Sequence, residues 1–368
     1  MNLRSSGYEP DEIPDFSIPR LDAACGRVGN LYRRRSDWQV GICFHAIFPL
    51  RCLHTAMDLI DTRKKILERE EWQTICDSHL AEARNFTDRA RFRRDRGEEH
   101  PVKDFLFRYY PYPLALLELW QPALGISLRF DEISALPARF LGKRYRTAGG
   151  VCELNPASAT DKEMNRLFWI QSLLVATQSH APNFACHGLH EWAMVYRAEE
   201  IRHSSLAPLR LPQGEIDALV ESRPIACTHH DAFRFFSKQA LPLNRFQPTL
   251  DTRHENEQPG CVHANMDLYK WAAKSMPWIG SDLLLETFRL ALRLRDLDMR
   301  ASPYDLSAWG VVPVKIETGE GRREYEAEQR RLAEEARGLR NKLIGSLGCL
   351  VGTGSANDGL GLRVRATD

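Results

Sequence analysis

Two successive stretches in the last third of the chain repeat apolar residues at helical spacing, and they leave few architectures open. Ser281 to Arg300 sets Leu284, Phe288, Ala291 and Leu294 on one face, with Ser281 as the capping residue. Glu320 to Leu347 lines Tyr325, Leu332, Ala336, Leu339, Leu343 and Leu347 along a single seam and carries charge elsewhere. A third, apolar helix is expected over Asp161 to Gln178, deep in the core. Together they predict a mainly α fold with a few short strands, built as one large globular domain.

The domain limits follow from where these patterns stop. Residues 1–56 mix Pro, Gly, Arg and Cys without a sustained period and read as a weakly packed extension, which a start at Met57 would leave out. Residues 57–347 form the domain, and residues 348–368, rich in Gly, Ser and Thr, read as a disordered tail. Met57 to Arg96 is helical and strongly charged. His100 to Trp120 places Pro101 at a first helical position and is broken by Pro111 and Pro113. Its rings, Phe105, Phe107, Tyr109, Tyr110 and Tyr112, are of the kind that stack on exposed bases, but at this density they are expected in the core. Residues 125–158 read as irregular, with a basic patch at Arg139, Lys143, Arg144 and Arg146. Ile225 to Thr228 reads as a strand that turns into a helix within T-H-H-D-A-F-R-F-F, and Asn244 to Gly260 is a polar loop.

Composition excludes more than it selects. The 368 residues are 27% charged and 43% hydrophobic, and no apolar run approaches the roughly 18 residues of a membrane span, so a soluble cytoplasmic protein is expected. Nine scattered cysteines with no C-x-x-C pair argue against a disulfide framework or a zinc knuckle. A net charge of +1 selects no partner, because a nucleic-acid enzyme needs only a local basic surface. Arg89, Arg93 and Arg96 share one helix face and suit DNA phosphates, although Asp88, Asp95, Glu98 and Glu99 neutralise part of that face.

The densest chemistry lies in Glu257 to Lys274, E-Q-P-G-C-V-H-A-N-M-D-L-Y-K-W-A-A-K. Pro259-Gly260 signals a turn and Asn265 is a good N-cap, which predicts a helix starting at Met266. Asp267, Lys270, Trp271 and Lys274 then share a face. Clusters around His190, His230 and Ser302 are expected to meet it. Each carboxylate also has a structural explanation. Asp231 follows Thr228, and Asp305 follows Ser302, at capping-box spacing, with Pro303 opening a short helix after Ser302. Asp267 is placed to pair with Lys270, and Glu191 with Arg197. His187, His190, Glu191, His229, His230, Asp231, His263 and Asp267 are the right types to ligate zinc or iron. His187 and His190 have helical i, i+3 spacing, but Gly188 between them weakens a helical reading, and no metal is expected.

Five blocks carry a resemblance: H-P-V-K-D-F-L-F-R-Y-Y at 100–110, G-L-H-E-W-A-M-V-Y-R at 188–197, D-A-F-R-F-F at 231–236, Q-P-G-C-V-H-A-N-M-D-L-Y-K-W-A at 258–272 and L-D-M-R-A-S-P-Y-D-L at 297–306. They are similar to blocks of bacterial 3-methyladenine DNA glycosylases. Within that kind the chain looks closest to anti-phage DNA glycosylases that remove α-glucosyl-hydroxymethylcytosine. The likeness runs from about Trp72 to Leu347 and leaves out the first 60 or so residues and the tail. It implies an enzyme acting on double-stranded DNA with modified bases, without a cofactor, a membrane or a protein partner.

Residue roles rest on chemistry rather than on that likeness. A glycosylase extracts a base from the stack and breaks its N-glycosidic bond through an oxocarbenium-like state, which a carboxylate stabilises while a donor helps the base leave. Asp267 and Asp231 are the candidate carboxylates, with His263, Asn265 and His230 beside them. His190, Glu191, Trp192, Tyr269, Trp271 and Tyr304 are candidate substrate contacts. Arg234, Lys270 and Lys274 suit the DNA backbone, with Lys270 also a possible Schiff-base nucleophile. The alternatives are repair of alkylated adenine, a non-catalytic nucleic-acid-binding protein and a metal-dependent nuclease.

Overall fold

A computed structural model describes residues 65–199, 201 and 207–355. The expected N-terminal extension and the end of the tail lie outside these residues. The described region is mainly helical with one small sheet. Strand β1 (Lys65–Leu67) leads into helix α1 (Arg69–Asp95), so the first described part of the expected helical segment is a strand, and residues 57–64 lie outside the described residues. Short helices α2 (Phe105–Tyr109) and α3 (Leu114–Glu118) flank the Pro111-Tyr112-Pro113 break. Pro111 and Pro113 lack the N–H that would carry a single helix through.

Strands β2 (Ile126–Arg129), β3 (Tyr145–Ala148) and β4 (Val151–Leu154) occupy the stretch that reads as irregular. The sheet order is β1-β2-β4-β3, with β1 parallel to β2 and the other pairs antiparallel. Gly149 and Gly150, at φ 57° and 72°, close the β3–β4 hairpin, where only such residues turn two strands in two positions without strain. Beneath the sheet lies a satellite core of Trp72, Trp120, Leu128, Phe140 and Cys152. Three residues of the expected basic patch have partners within the protein, while Lys143 is exposed. Arg144 pairs with Glu163, Arg146 with Glu153, and Arg139 donates to the Trp120 carbonyl.

The main body follows with α4 (Asp161–Ser179), α5 (Leu189–Val195), α6 (Gln213–Glu221), α7 (His230–Phe233) and α8 (Arg253–Asn256). It is completed by α9 (Val262–Lys274), α10 (Ser281–Arg300) and α11 (Gly319–Ser355). Helix α9 packs on α10 and α11, and α11 also on α4. The expected inward faces are buried throughout: Leu284, Phe288, Ala291 and Leu294 on α10, and all six seam residues on α11. Helix α11 continues to Ser355, past the expected stop at Leu347.

Three local expectations are corrected. Helix α9 starts at Val262 rather than Met266, and Asn265 lies inside it. The Asn265 amide donates to the Pro259 carbonyl, and its oxygen accepts from Arg340, so it ties the turn and α11 to α9. No helix begins at Ser302, whose hydroxyl donates back to the Met299 carbonyl; Tyr304 instead forms a bridge with Leu209. Ser281 sits inside α10 behind Gly280, and its hydroxyl accepts from the Gln121 amide.

Candidate active site

Helix α9 is enclosed on almost every side, with only His263 and Lys274 reaching partial exposure. Its polar residues therefore find partners inside the protein. Asp267 accepts from the Tyr110 hydroxyl at 2.6 Å, from the Lys270 ammonium at 2.9 Å and from His229 Nε2 at 3.3 Å. The same ammonium reaches Asp231 Oδ2 at 3.1 Å, and Arg253 donates to that oxygen at 2.6 Å. Two carboxylates thus share one lysine in a dry interior. Burial, the largest single influence, raises a carboxyl pKa. Lys270 and its neighbours, His229 for both carboxyls and His230 and Arg253 for Asp231, together outweigh it and hold both Asp231 and Asp267 well below the usual range. Glu257 lies 3.7 Å from Arg253 and 3.8 Å from His229. Burial wins there, and its carboxyl is raised.

Asp231 Oδ1 differs from its neighbour. It is buried and accepts no hydrogen bond from any described residue, although His230 Nδ1 stands 3.5 Å away and Arg234 Nε 3.7 Å away. Those two side chains are partly exposed and form the edge of the network nearest solvent.

A second network adjoins the first. His190 Nε2 lies 2.7 Å from Asp298 Oδ1, and Arg295 reaches both Asp298 Oδ2 and Glu191 at 3.1 Å. Burial opposes a charged His190, yet the Asp298 carboxylate raises its pKa well above the ordinary value. His263 joins the two networks, its ring stacked on His229 at 5.5 Å and edge-on to His190 at 4.6 Å. Burial and the His190 charge pull its pKa down to about 3, so it is neutral at pH 7. His190, His263 and Asp298, and likewise His229, Asp231 and Asp267, bring three donor atoms within 4.8 Å of one another. In both groups a protein cation, Arg295 or Lys270, already pairs with a carboxylate of the set. No metal is assigned to either.

The structure sorts the sequence candidates. Asp231, Asp267, His263, His190 and Glu191 belong to the networks, and His230 and Arg234 to their edge. Thr228 does not cap α7, and Asp231 is an ion-pair partner rather than half of a capping box. Glu191 pairs with Arg295, while Arg197 pairs with Glu221. Trp192 donates to the Ala301 carbonyl, and Tyr269 packs among Tyr110, Tyr112 and Phe288, so both rings are core. Trp271 is also buried, with the Lys270 ammonium 4.6 Å from its ring centre. Lys270 is enclosed between two aspartates, which corrects its expected role on DNA phosphates. Lys274 is half-buried at the end of α9. On α1, Arg93 is committed to Asp104 and Arg96 to Glu98, while Arg89 is exposed. Tyr304 lines a separate pocket of about 320 Å³ together with Arg210, Lys315 and Glu317.

The residues missed are Arg253, Glu257, Tyr110, Arg295 and Asp298. Asp298 was within reach, since it stands four residues from Leu294 on the strongest amphipathic pattern and still points inward. An acidic residue on an apolar face is a signal that a partner awaits it. No protein-family model, curated protein or solved structure matches the chain.

Proposed function

We propose that the chain is a DNA glycosylase that hydrolyses the N-glycosidic bond of a modified base, α-glucosyl-hydroxymethylcytosine in phage DNA, and leaves abasic sites as a defence. The supporting observation is Asp231, which is ionised and buried, with one oxygen gripped by Lys270 and Arg253 and the other accepting no hydrogen bond from the described residues. Such an oxygen suits a transient positive charge. An oxocarbenium-like sugar develops that charge only as the bond breaks, and a fixed carboxylate in a dry site stabilises it more than it stabilises the ground state.

The neighbours fit supporting roles. Neutral His263 is suited to hydrogen-bond an uncharged base. His230 and Arg234, at the solvent edge, are the side chains a DNA strand meets first. Lys270 is held by two carboxylates and is a poor amine nucleophile, which favours hydrolysis by water over a Schiff-base lyase. The pocket beside His263 and His190 has only about 10 Å³ of free space, enough for one water, so a flipped base enters with movement of its wall.

The test incubates the full chain, in chelator, with phage DNA carrying the glucosylated base and with alkylated plasmid, and reads released bases by mass spectrometry. Release of the glucosylated base, reduced at least 100-fold in Asp231→Asn protein that keeps a cooperative thermal melt, is the expected result. Release of 3-methyladenine alone would replace this substrate with alkylated adenine. Binding of DNA without release of either base would leave a binding protein.

A further inference from the structure

The second network ends on a sulfur that the glycosylase reading does not use. Cys186 Sγ lies 3.3 Å from His190 Nδ1, and the other ring nitrogen of His190 lies 2.7 Å from Asp298. An ionised Asp298 only accepts, so the Nε2 proton is given to it, and the charged ring directs its Nδ1 proton at the sulfur. The backbone is bent to make this meeting. His187 and Gly188 both adopt positive φ, 45° and 76°, and the first is not a glycine. A side chain in that region is strained, and such strain clusters at functional sites. A Cβ at position 188 would also stand 3.2 Å from the Ala301 Cβ, which fixes the turn against the end of α10.

We propose that Cys186, His190 and Asp298 form a nucleophilic triad, with Cys186 as the attacking thiol, His190 as its base and Asp298 as the orienting carboxylate, acting on small acyl esters or thioesters. The proposal does not rest on the glycosylase reading. In the first step the sulfur, its proton already held on the charged His190, bonds to the acyl carbon. The leaving alcohol or thiol departs with the proton from His190, giving a thioester on Cys186. A water then gives its proton to the neutral His190 and its oxygen to the acyl carbon, and the sulfur leaves with that proton held on His190. The sum is hydrolysis of the ester to an acid and an alcohol or thiol, with no external oxidant or metal.

The surroundings separate Cys186 from the other thiols of the pocket. Cys186 is half-buried and lines the narrow pocket that His263 and Tyr325 also border. Cys227 and Cys261 line it too, but burial pushes both thiols up, Cys261 to about 12. The charged groups facing the triad are Arg295 and Glu191 behind Asp298, His263 edge-on to His190, and Glu326, which pairs with His187 on the turn. Asp298 favours the charged His190 despite burial, which suits a ring that holds the sulfur's proton and passes it to the leaving group. The free space of about 10 Å³ admits one water, so an acyl group, like a flipped base, enters with movement of the wall.

The experiment treats the full chain with p-nitrophenyl acetate, follows nitrophenolate release, and maps acetylation after acid quench. In parallel, iodoacetamide labelling of Cys186 is timed by peptide mapping from pH 5 to 9. The expected result is one acetyl group per chain on Cys186, absent in Cys186→Ser, and labelling at pH 6 at least tenfold faster than in Asp298→Asn. A merely structural Asp298 would not change the shape of that pH profile. If Asp298→Asn does not fold, the Cys186→Ser comparison and the wild-type profile decide. Acetylation elsewhere, or Cys186 labelling that rises only above pH 8 like an ordinary thiol, overturns the triad.

Discussion

Removing the Lys270 ammonium leaves Asp231 and Asp267 buried without the cation they share. Breaking a buried ion pair by deleting one partner strands the other charge, at about 3–5 kcal/mol. Lys270→Met is expected to lose that much stability in urea unfolding at pH 7, and a loss below 1 kcal/mol would mean the cluster is less dry than its burial indicates. His263 makes a prediction of opposite origin. Its pKa falls from 6.5 to about 3 on folding, so between these values the unfolded chain binds more protons. Its contribution is therefore complete above pH 6.5 and is lost as pH drops toward 3, with a slope of up to about 1.4 kcal/mol per pH unit. Asp231, Asp267 and Asp298 have folded values below the ordinary one, so their contributions fade only at lower pH. His190 is raised, and its contribution is lost only as pH rises through its folded value. Unfolding of wild type and His263→Asn between pH 7 and 4.5 should show the shallower acid slope in the variant.

Among the elements, α10 is positioned by the turn that feeds it. Gly280 has φ 78°, and a Cβ there would stand 2.8 Å from the Ala123 backbone nitrogen. Gly280→Ala meets both a backbone penalty and a clash with main chain, and a loss of about 2 kcal/mol or more is expected in chemical denaturation. Gly214, in α6, has nothing within 4 Å of its would-be Cβ. Gly214→Ala should be neutral or stabilising by up to about 1 kcal/mol, because only helix propensity changes. Equal effects at the two sites would remove the steric account of Gly280. The β3–β4 hairpin makes a related point about reading sequences. Its Gly-Gly dipeptide between R-Y-R-T-A and V-C-E-L is a hairpin signal, but the arginine-rich flanks hide the alternation that would identify strands.

At the scale of the molecule, α11 closes the helical body by packing on α4, α9 and α10. Its seam is fully enclosed, so Leu332→Ala and Leu343→Ala should each lose about 2–5 kcal/mol through lost burial and the cavity left behind. A thermal melt that stayed unchanged in both would place α11 outside the cooperative unit. No helix among the described residues is long and apolar enough to cross a membrane.

Local pattern determined α4, α10 and α11, since a period of apolar residues carries its own helix and its own buried face. Proline chemistry likewise determined the break between α2 and α3. The start of α9 was not determined locally, because Asn265, a good cap in isolation, found better partners in Pro259 and Arg340. Tertiary structure also decided the candidate site. Tyr110 and Asp267 are 157 positions apart, and His190 and Asp298 are 108 apart. Residue type made Asp231 and Asp267 candidates, but only folding buried them beside Lys270, where they stay ionised in a dry interior. Charge interactions depend on distance and on the exclusion of water, and neither quantity exists until the chain has folded.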